Sequence, residues 1–142
     1  MKNIIFLTHA EKKPSGGAKY IYNYSQIINE LKNFSSEVIH IKKKKTSKFR
    51  DSINKKLNIN RGVYSGWQFE DITYSINFKY EWFDNKVKVK KNFEFDQEKD
   101  FVILPEIFAH LADDLLIKKG TNYGIFVQNG YVIQSTNNEK KL

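Results

Sequence analysis

The 142-residue sequence contains no cysteine, which excludes disulfide staples and thiolate metal ligands. Its three histidines, His9, His40 and His110, are too few and too scattered for a histidine-rich zinc site, so no metal centre is expected. Arginine is confined to Arg50 and Arg61, and the net charge of +8 therefore rests on lysine. Lysine is a poor substitute for arginine in bidentate base readout, which weighs against nucleic acid as a partner. No apolar stretch approaches the ~20 residues of a membrane-spanning helix. The first apolar run, Ile4-Ile5-Phe6-Leu7, also falls short of the ~7–15 residues of a signal-peptide core. His9, Glu11, Lys12 and Lys13 follow it at once. Together these absences point to a cytoplasmic chain.

What is present fits one globular unit. Hydrophobic residues make up 40% and aromatic residues 15%, enough to build a core rather than remain disordered. Lys, Asn, Ile, Tyr and Phe are abundant together, a pattern that A/T-rich coding bias alone produces. The run Lys42-Lys43-Lys44-Lys45 reads first as a solvated loop. Its second reading is an anionic membrane face, to which each lysine adds roughly 1 kcal/mol.

Residues 3–8 are apolar without alternation, as in a strand buried on both faces of a parallel sheet. His9 to Gly17 reads as a loop. Ile21, Tyr24, Ile28 and Leu31 then recur at helical spacing, with Ile27 widening the stripe, which predicts a helix over 17–33. Glu37 to Ile41 reads as a second strand and completes a βαβ unit. Residues 46–60 carry a weak helical pattern. Ile72 to Phe78 and Lys86 to Lys90 alternate around an Asp84-Asn85 turn, which reads as a β-hairpin insertion or edge element with lysines guarding the sheet edge. Phe101 to Leu104 is a further apolar strand closed by Pro105-Glu106. A helix carrying Ile107, Phe108, Leu111, Leu115 and Leu116 follows, ending at Lys118, Lys119 and Gly120. Tyr123 to Val127 reads as a buried strand, followed by Gln128-Asn129-Gly130. The expected fold is α/β, a Rossmann-like open, mainly parallel sheet with flanking helices, over residues 1–134. Residues 135–142 form a polar tail.

Ligands of open α/β sheets bind at the carboxyl ends of the strands. Three strands end here in unusual chemistry: His9 with Pro14-Ser15-Gly16-Gly17, Pro105-Glu106, and Gln128-Asn129-Gly130. If the strands are parallel neighbours, all three clusters share one edge. Gly16 and Gly17 lack a Cβ, so their backbone allows close approach at a helix N-terminus, whose N–H groups favour phosphate. Ser15 suits the cap or the same anion. The alternative is a tight strand-to-helix turn without a ligand. Neither a Walker A loop nor a full Gly-x-Gly-x-x-Gly motif is present.

Pro14 to Tyr24 resembles the opening of bacterial GT-B glycosyltransferases of the glycogen-synthase-like, sugar-nucleotide-dependent group. The segments Glu37–Ile41, Asp100–Glu106 and Phe126–Asn129 resemble strands and strand ends of the same N-terminal domain, whereas residues 42–99 match no part of it. The resemblance implies sugar transfer from a nucleotide diphosphate donor to an acceptor bound mainly by this domain, with retaining stereochemistry. It places Gly16 and Gly17, and less directly Ser15 and Lys19, against the donor diphosphate. A nucleotide sugar is thus a co-substrate, and no cofactor is implied. Position at the strand ends makes His9, Glu106, His110, Gln128 and Asn129 candidates for the cleft and acceptor site; no catalytic residue is assigned. Lys19 reads equally as solvent-facing, Glu106 as a cap of its own helix, and His110 as a packed, satisfied histidine.

The family's enzymes hold the nucleotide sugar in a second Rossmann-like domain, which the residues after Asn129 are too few to build. The expectation is an acceptor-side domain, inactive until joined by a donor domain or partner chain. The competing reading is a stand-alone α/β binding module for a phosphate-bearing or other anionic ligand. A response-regulator-like or flavodoxin-like domain fits less well, because the first strand is followed by neither a paired-Asp site nor a Ser/Thr-rich phosphate loop.

Overall fold

A computed structural model of the protein describes residues 1–13, 15–45, 64, 66–84 and 86–128. The helix expected over 46–60, the tail 135–142, and Pro14, Asn85, Asn129 and Gly130 lie outside these residues. Five strands form one mixed sheet in the order β3-β2-β1-β4-β5. They are β1 (Lys2–His9), β2 (Phe34–Lys43), β3 (Ile72–Ser75), β4 (Asp100–Pro105) and β5 (Asn122–Phe126). All neighbours run parallel except β2 and β3. The α/β, mainly parallel architecture expected from the sequence is therefore the one observed.

The chain steps from β1 to β2 in one direction and from β4 to β5 in the other, so the two crossovers cover opposite faces of the sheet. Helix α1 (Gly16–Asn29) packs with Phe6 and Val38 on one face, joined by Ile4, Ile103 and Phe126. The 106–119 crossover packs Phe108, Leu111, Leu115 and Leu116 on the other, against Ile5, Leu7, Ile39, Ile41, Val102 and Leu104. Strand residues thus alternate between the two layers, as the twofold repeat of a strand requires.

Several elements differ from the sequence pattern. Helix α1 buries Ala18, Ile21, Tyr22 and Ser25, a stripe turned away from the expected Tyr24 and Ile27, of which Ile27 is 55% exposed. The helix also stops before residue 33. Asn29 turns its carboxamide onto Ser36, accepting from its backbone N–H (2.8 Å) and donating to its carbonyl (3.1 Å), which draws the chain directly into β2. The 106–119 crossover is no continuous α-helix. A 3-10 segment (Glu106–Leu111), one turn of α-helix, α2 (Ala112–Leu115), and a second 3-10 turn (Ile117–Lys119) follow each other. Gly120 closes it at φ 66°, the left-handed C-cap that glycine adopts without strain.

The middle of the chain forms an edge element and not a hairpin. Strand β3 pairs with the carboxyl half of β2, from His40 to Lys43. Val89 bridges Val38 on the amino half of β2 in parallel, with Val38 donating to the Lys88 carbonyl (2.8 Å) and Lys90 to the Val38 carbonyl (2.9 Å). One edge of β2 is thus shared by two separate segments. Lys42 and Lys43 belong to β2 itself, so half of the lysine run is exposed strand and not loop. Strand β5 is a half-exposed edge strand, not a buried one.

Core position separates from surface position in a measurable way. Leu104, with no exposure, should cost about 2–5 kcal/mol on replacement by Ala. Ile27→Gln should change stability by no more than about 0.5 kcal/mol. Urea unfolding checks both, and a large loss from Ile27→Gln would contradict the observed rotation of α1.

Candidate functional site

Because β1, β4 and β5 are parallel, their carboxyl ends meet at one edge. The winding reverses between β1 and β4, the place where open α/β sheets bind ligands. A cleft of ≈ 280 Å3 lies there, lined among others by Thr8, His9, Glu11, Lys13, Ser15, Gly17, Tyr64, Glu106 and Gln128. Of the residues singled out from the sequence, His9, Ser15, Gly17, Glu106 and Gln128 come together in it. Gly16 stands beside it, exposed, with open space where a Cβ would be. Lys19 is exposed and outside the lining, the solvent-facing alternative. His110 is also outside it, its Nε2 2.8 Å from the Trp67 carbonyl on the opposite face, as expected of a packed histidine.

Ser15 caps α1, its Oγ accepting from the Ala18 N–H at 3.5 Å. The first turn of α1 carries no acidic side chain, so nothing on the helix itself neutralises its partial positive end. At Gly17 the requirement for glycine is steric. The Gln128 carboxamide lies against its Cα, with Cδ 3.1 Å from where a Cβ would stand. Gln128 is held there by Glu106, whose buried carboxylate accepts from the Gln128 backbone N–H. Glu106 thereby ties the end of β4 to the residues that follow β5.

His9 is nearly buried, stacked on Tyr64 at 5.8 Å and meeting Tyr80 edge-on at 6.0 Å. Its Nδ1 accepts from the Glu11 N–H at 3.3 Å. Burial lowers its pKa, partly offset by the Glu11 carboxylate. A neutral ring with Nδ1 as acceptor carries its proton on Nε2, which makes that nitrogen a hydrogen-bond donor. Tyr64 hydrogen-bonds Glu11, and burial raises its pKa well above the usual phenol value. At neutral pH the Tyr64 phenol therefore stays protonated, while the His9 ring is neutral. Among the described residues no group of three His, Cys, Asp or Glu side chains is placed to hold a metal ion.

Behind the cleft lies a polar layer that the sequence did not reveal. The Tyr80 hydroxyl donates to the His9 carbonyl and sits 3.4 Å from Thr8 Oγ1. The Tyr22 hydroxyl bonds His40 Nε2 in the core, where His40 has no exposure. Burial, opposed by the Thr8 bond, raises Tyr80 to about 12. Burial, and then His9, pushes His40 down to about 4. Tyr22 fell outside the helical stripe read from the sequence, which took Tyr24 in its place. Tyr64, Tyr80 and Glu11 carried no signal, since their roles depend on contacts 53 to 72 residues apart in the chain.

No family model, no curated protein and no solved structure matches the chain.

The His40 environment sets a pH dependence. The unfolded imidazole titrates near 6.5 and the folded one near 4, so between those values the unfolded state binds more protons. This contribution is full above pH 6.5 and is lost as pH falls towards 4, by about 3 kcal/mol in total. His40→Phe should remove that share of the decline in urea unfolding between pH 6.5 and 4. An unchanged slope would contradict it.

Proposed function

We propose that the cleft at the ends of β1, β4 and β5 is the acceptor-side wall of a sugar-nucleotide-dependent GT-B glycosyltransferase, facing the donor diphosphate. The observation that carries the reading is the convergence at one sheet edge of the Ser15-capped N-terminus of α1, the unshielded Gly16 and the neutral donor His9. Such an arrangement offers N–H groups and a partial positive charge to an anion without requiring a metal or a mobile cation. Lys13 at the rim adds a full positive charge. The resemblance of Pro14 to Tyr24 to that family supplies the chemistry: transfer of a sugar from a nucleotide diphosphate to an acceptor.

In this reading His9 hydrogen-bonds a substrate oxygen, the α1 N-terminus stabilises charge on the leaving diphosphate, and Glu106 positions Gln128. The nucleotide and sugar are held by a donor domain, in this polypeptide or in another. Electrostatic stabilisation of the leaving group is usually the dominant catalytic contribution, so the domain alone supplies only part of the rate. The reading takes the protein as cytoplasmic, with the exposed Lys42 to Lys45 available to an anionic membrane surface carrying the acceptor. Among the described residues no helix is long and apolar enough to cross a membrane.

Titration of the 15N-labelled protein with inorganic pyrophosphate and with UDP, GDP and ADP tests the proposal. All four should shift the amides of Gly16, Gly17 and Ala18 in the millimolar range, the nucleosides adding nothing. Gly17→Val should abolish the shifts while α1 remains folded. Micromolar, base-selective binding would contradict an acceptor-side domain and support a self-sufficient nucleotide-binding module. Absence of any shift at these amides would contradict both.

A further inference from the structure

A second cavity, of ≈ 780 Å3, lies on the far side of Tyr80 from the cleft, between α1 and the 76–89 segment. Its volume falls within the ~300–1,000 Å3 typical of small-molecule sites. Aromatic rings of Tyr22, Phe78, Tyr80 and Phe83 form much of its wall, and Phe78 meets Tyr80 edge-on at 4.7 Å. Three of these rings also surround the buried His40, whose contacts run from 5.2 Å (Phe78) to 6.1 Å (Tyr80). The wall is therefore part of the core layer and is held in shape without a ligand. Gln26 of α1 donates to the Lys86 carbonyl at 3.2 Å, which fixes the far lip of the cavity against the helix.

The charge at the mouth is unbalanced. Lys79 and Lys86 line it, both exposed, and Asp84 is the single acidic residue beside them. Neither lysine forms an ion pair among the described residues. Next to the wall, Trp82 packs on Phe83 at 4.4 Å, and its Nε1 is buried without an acceptor among the described residues. Trp82 does not line the cavity itself and reports on it through Phe83. A wall of aromatic and aliphatic side chains with a net single positive charge at the mouth describes one kind of ligand.

We propose that this cavity binds a monomeric carboxylate-headed amphiphile, its acyl chain against Phe78, Tyr80 and Phe83 and its carboxylate between Lys79 and Lys86. The head supplies the one negative charge that the mouth lacks, and the chain covers the partly exposed rings of Phe78 and Phe83. The site is distinct from the cleft and does not depend on the sugar-transfer reading; the two linings share no residue, and Tyr80 of the cavity bonds the carbonyl of His9 in the cleft.

Decanoate, below its micelle-forming concentration, is the probe. The two tryptophan indole N–H signals report separately, because Trp82 lies beside the cavity and Trp67 packs on the opposite face against Phe108. Decanoate should shift the Trp82 signal saturably and leave Trp67 unmoved, with decanol binding at least tenfold more weakly. The double substitution Lys79→Ala/Lys86→Ala should weaken decanoate at least tenfold and decanol less than twofold. Equal binding of decanoate and decanol, unchanged decanoate affinity in the double variant, or no binding at all would overturn the proposal. So would movement of both indoles together, or a response to phosphatidylserine vesicles but not to decanoate.

Discussion

The central strand β1 is buried over its carboxyl half and hydrogen-bonded in parallel to β2 on one side and β4 on the other. Over that half the strand presents no polar side chain to solvent, so its chemistry collects where it ends. That end is Thr8 and His9, both buried and both at the wall of the cleft. The reversal of winding at β1 sends one crossover to each face. It leaves α1 to start, and the β4 and β5 ends to open, at the same edge. The Gly16-Gly17 turn, Glu106 and Gln128 become neighbours through this constraint, although up to 112 positions separate Gly16 from Gln128.

The same strand order explains the layer behind the cleft. Face-one residues of β1 and β2 need cover beyond what α1 provides, and the 76–87 excursion supplies it with Phe78, Tyr80, Trp82 and Phe83. Its tyrosine hydroxyl reaches the β1 end and becomes part of the site's support. Its outward rings form the second cavity. One segment thus closes the core, braces His9 and shapes a groove, which is why Tyr80 touches so many of the structure's polar contacts.

Legibility in the sequence followed burial on two faces. β1, with Ile4 to Leu7 apolar without break, and β4, with Val102 to Leu104, were readable because solvent imposes no alternation on either. The Gly16-Gly17 turn and the strand-end clusters followed from them. In the α1 stripe Ile21 and Ile28 were read correctly but Tyr24 was taken in place of Tyr22, since the two score alike by composition and only Tyr22 finds His40. Glu106 was placed at the edge from the sequence, but its bond to Gln128 had no local signal, because Gln128 follows the next strand. The 106–119 crossover looked helical by period, although 3-10 turns there place Phe108, Leu111 and Leu115 on the same face. In the middle of the chain the edge strand β3 was legible from its alternation, whereas Tyr64, Trp67 and the aromatic cover of Phe78 to Phe83 were not, because their order comes from ring contacts with no local period.

The central claim is that separate strand ends form one organised site, and the Glu106–Gln128 tie is its most specific element. Amide hydrogen exchange at Gln128 measures that tie directly. In the unmodified protein the Gln128 amide should be protected although its residue is exposed, and Glu106→Ala should release it by at least tenfold while the β1 amides of Phe6 and Leu7 stay protected. Exchange of the Gln128 amide at the rate of an unstructured peptide in the unmodified protein would contradict the account.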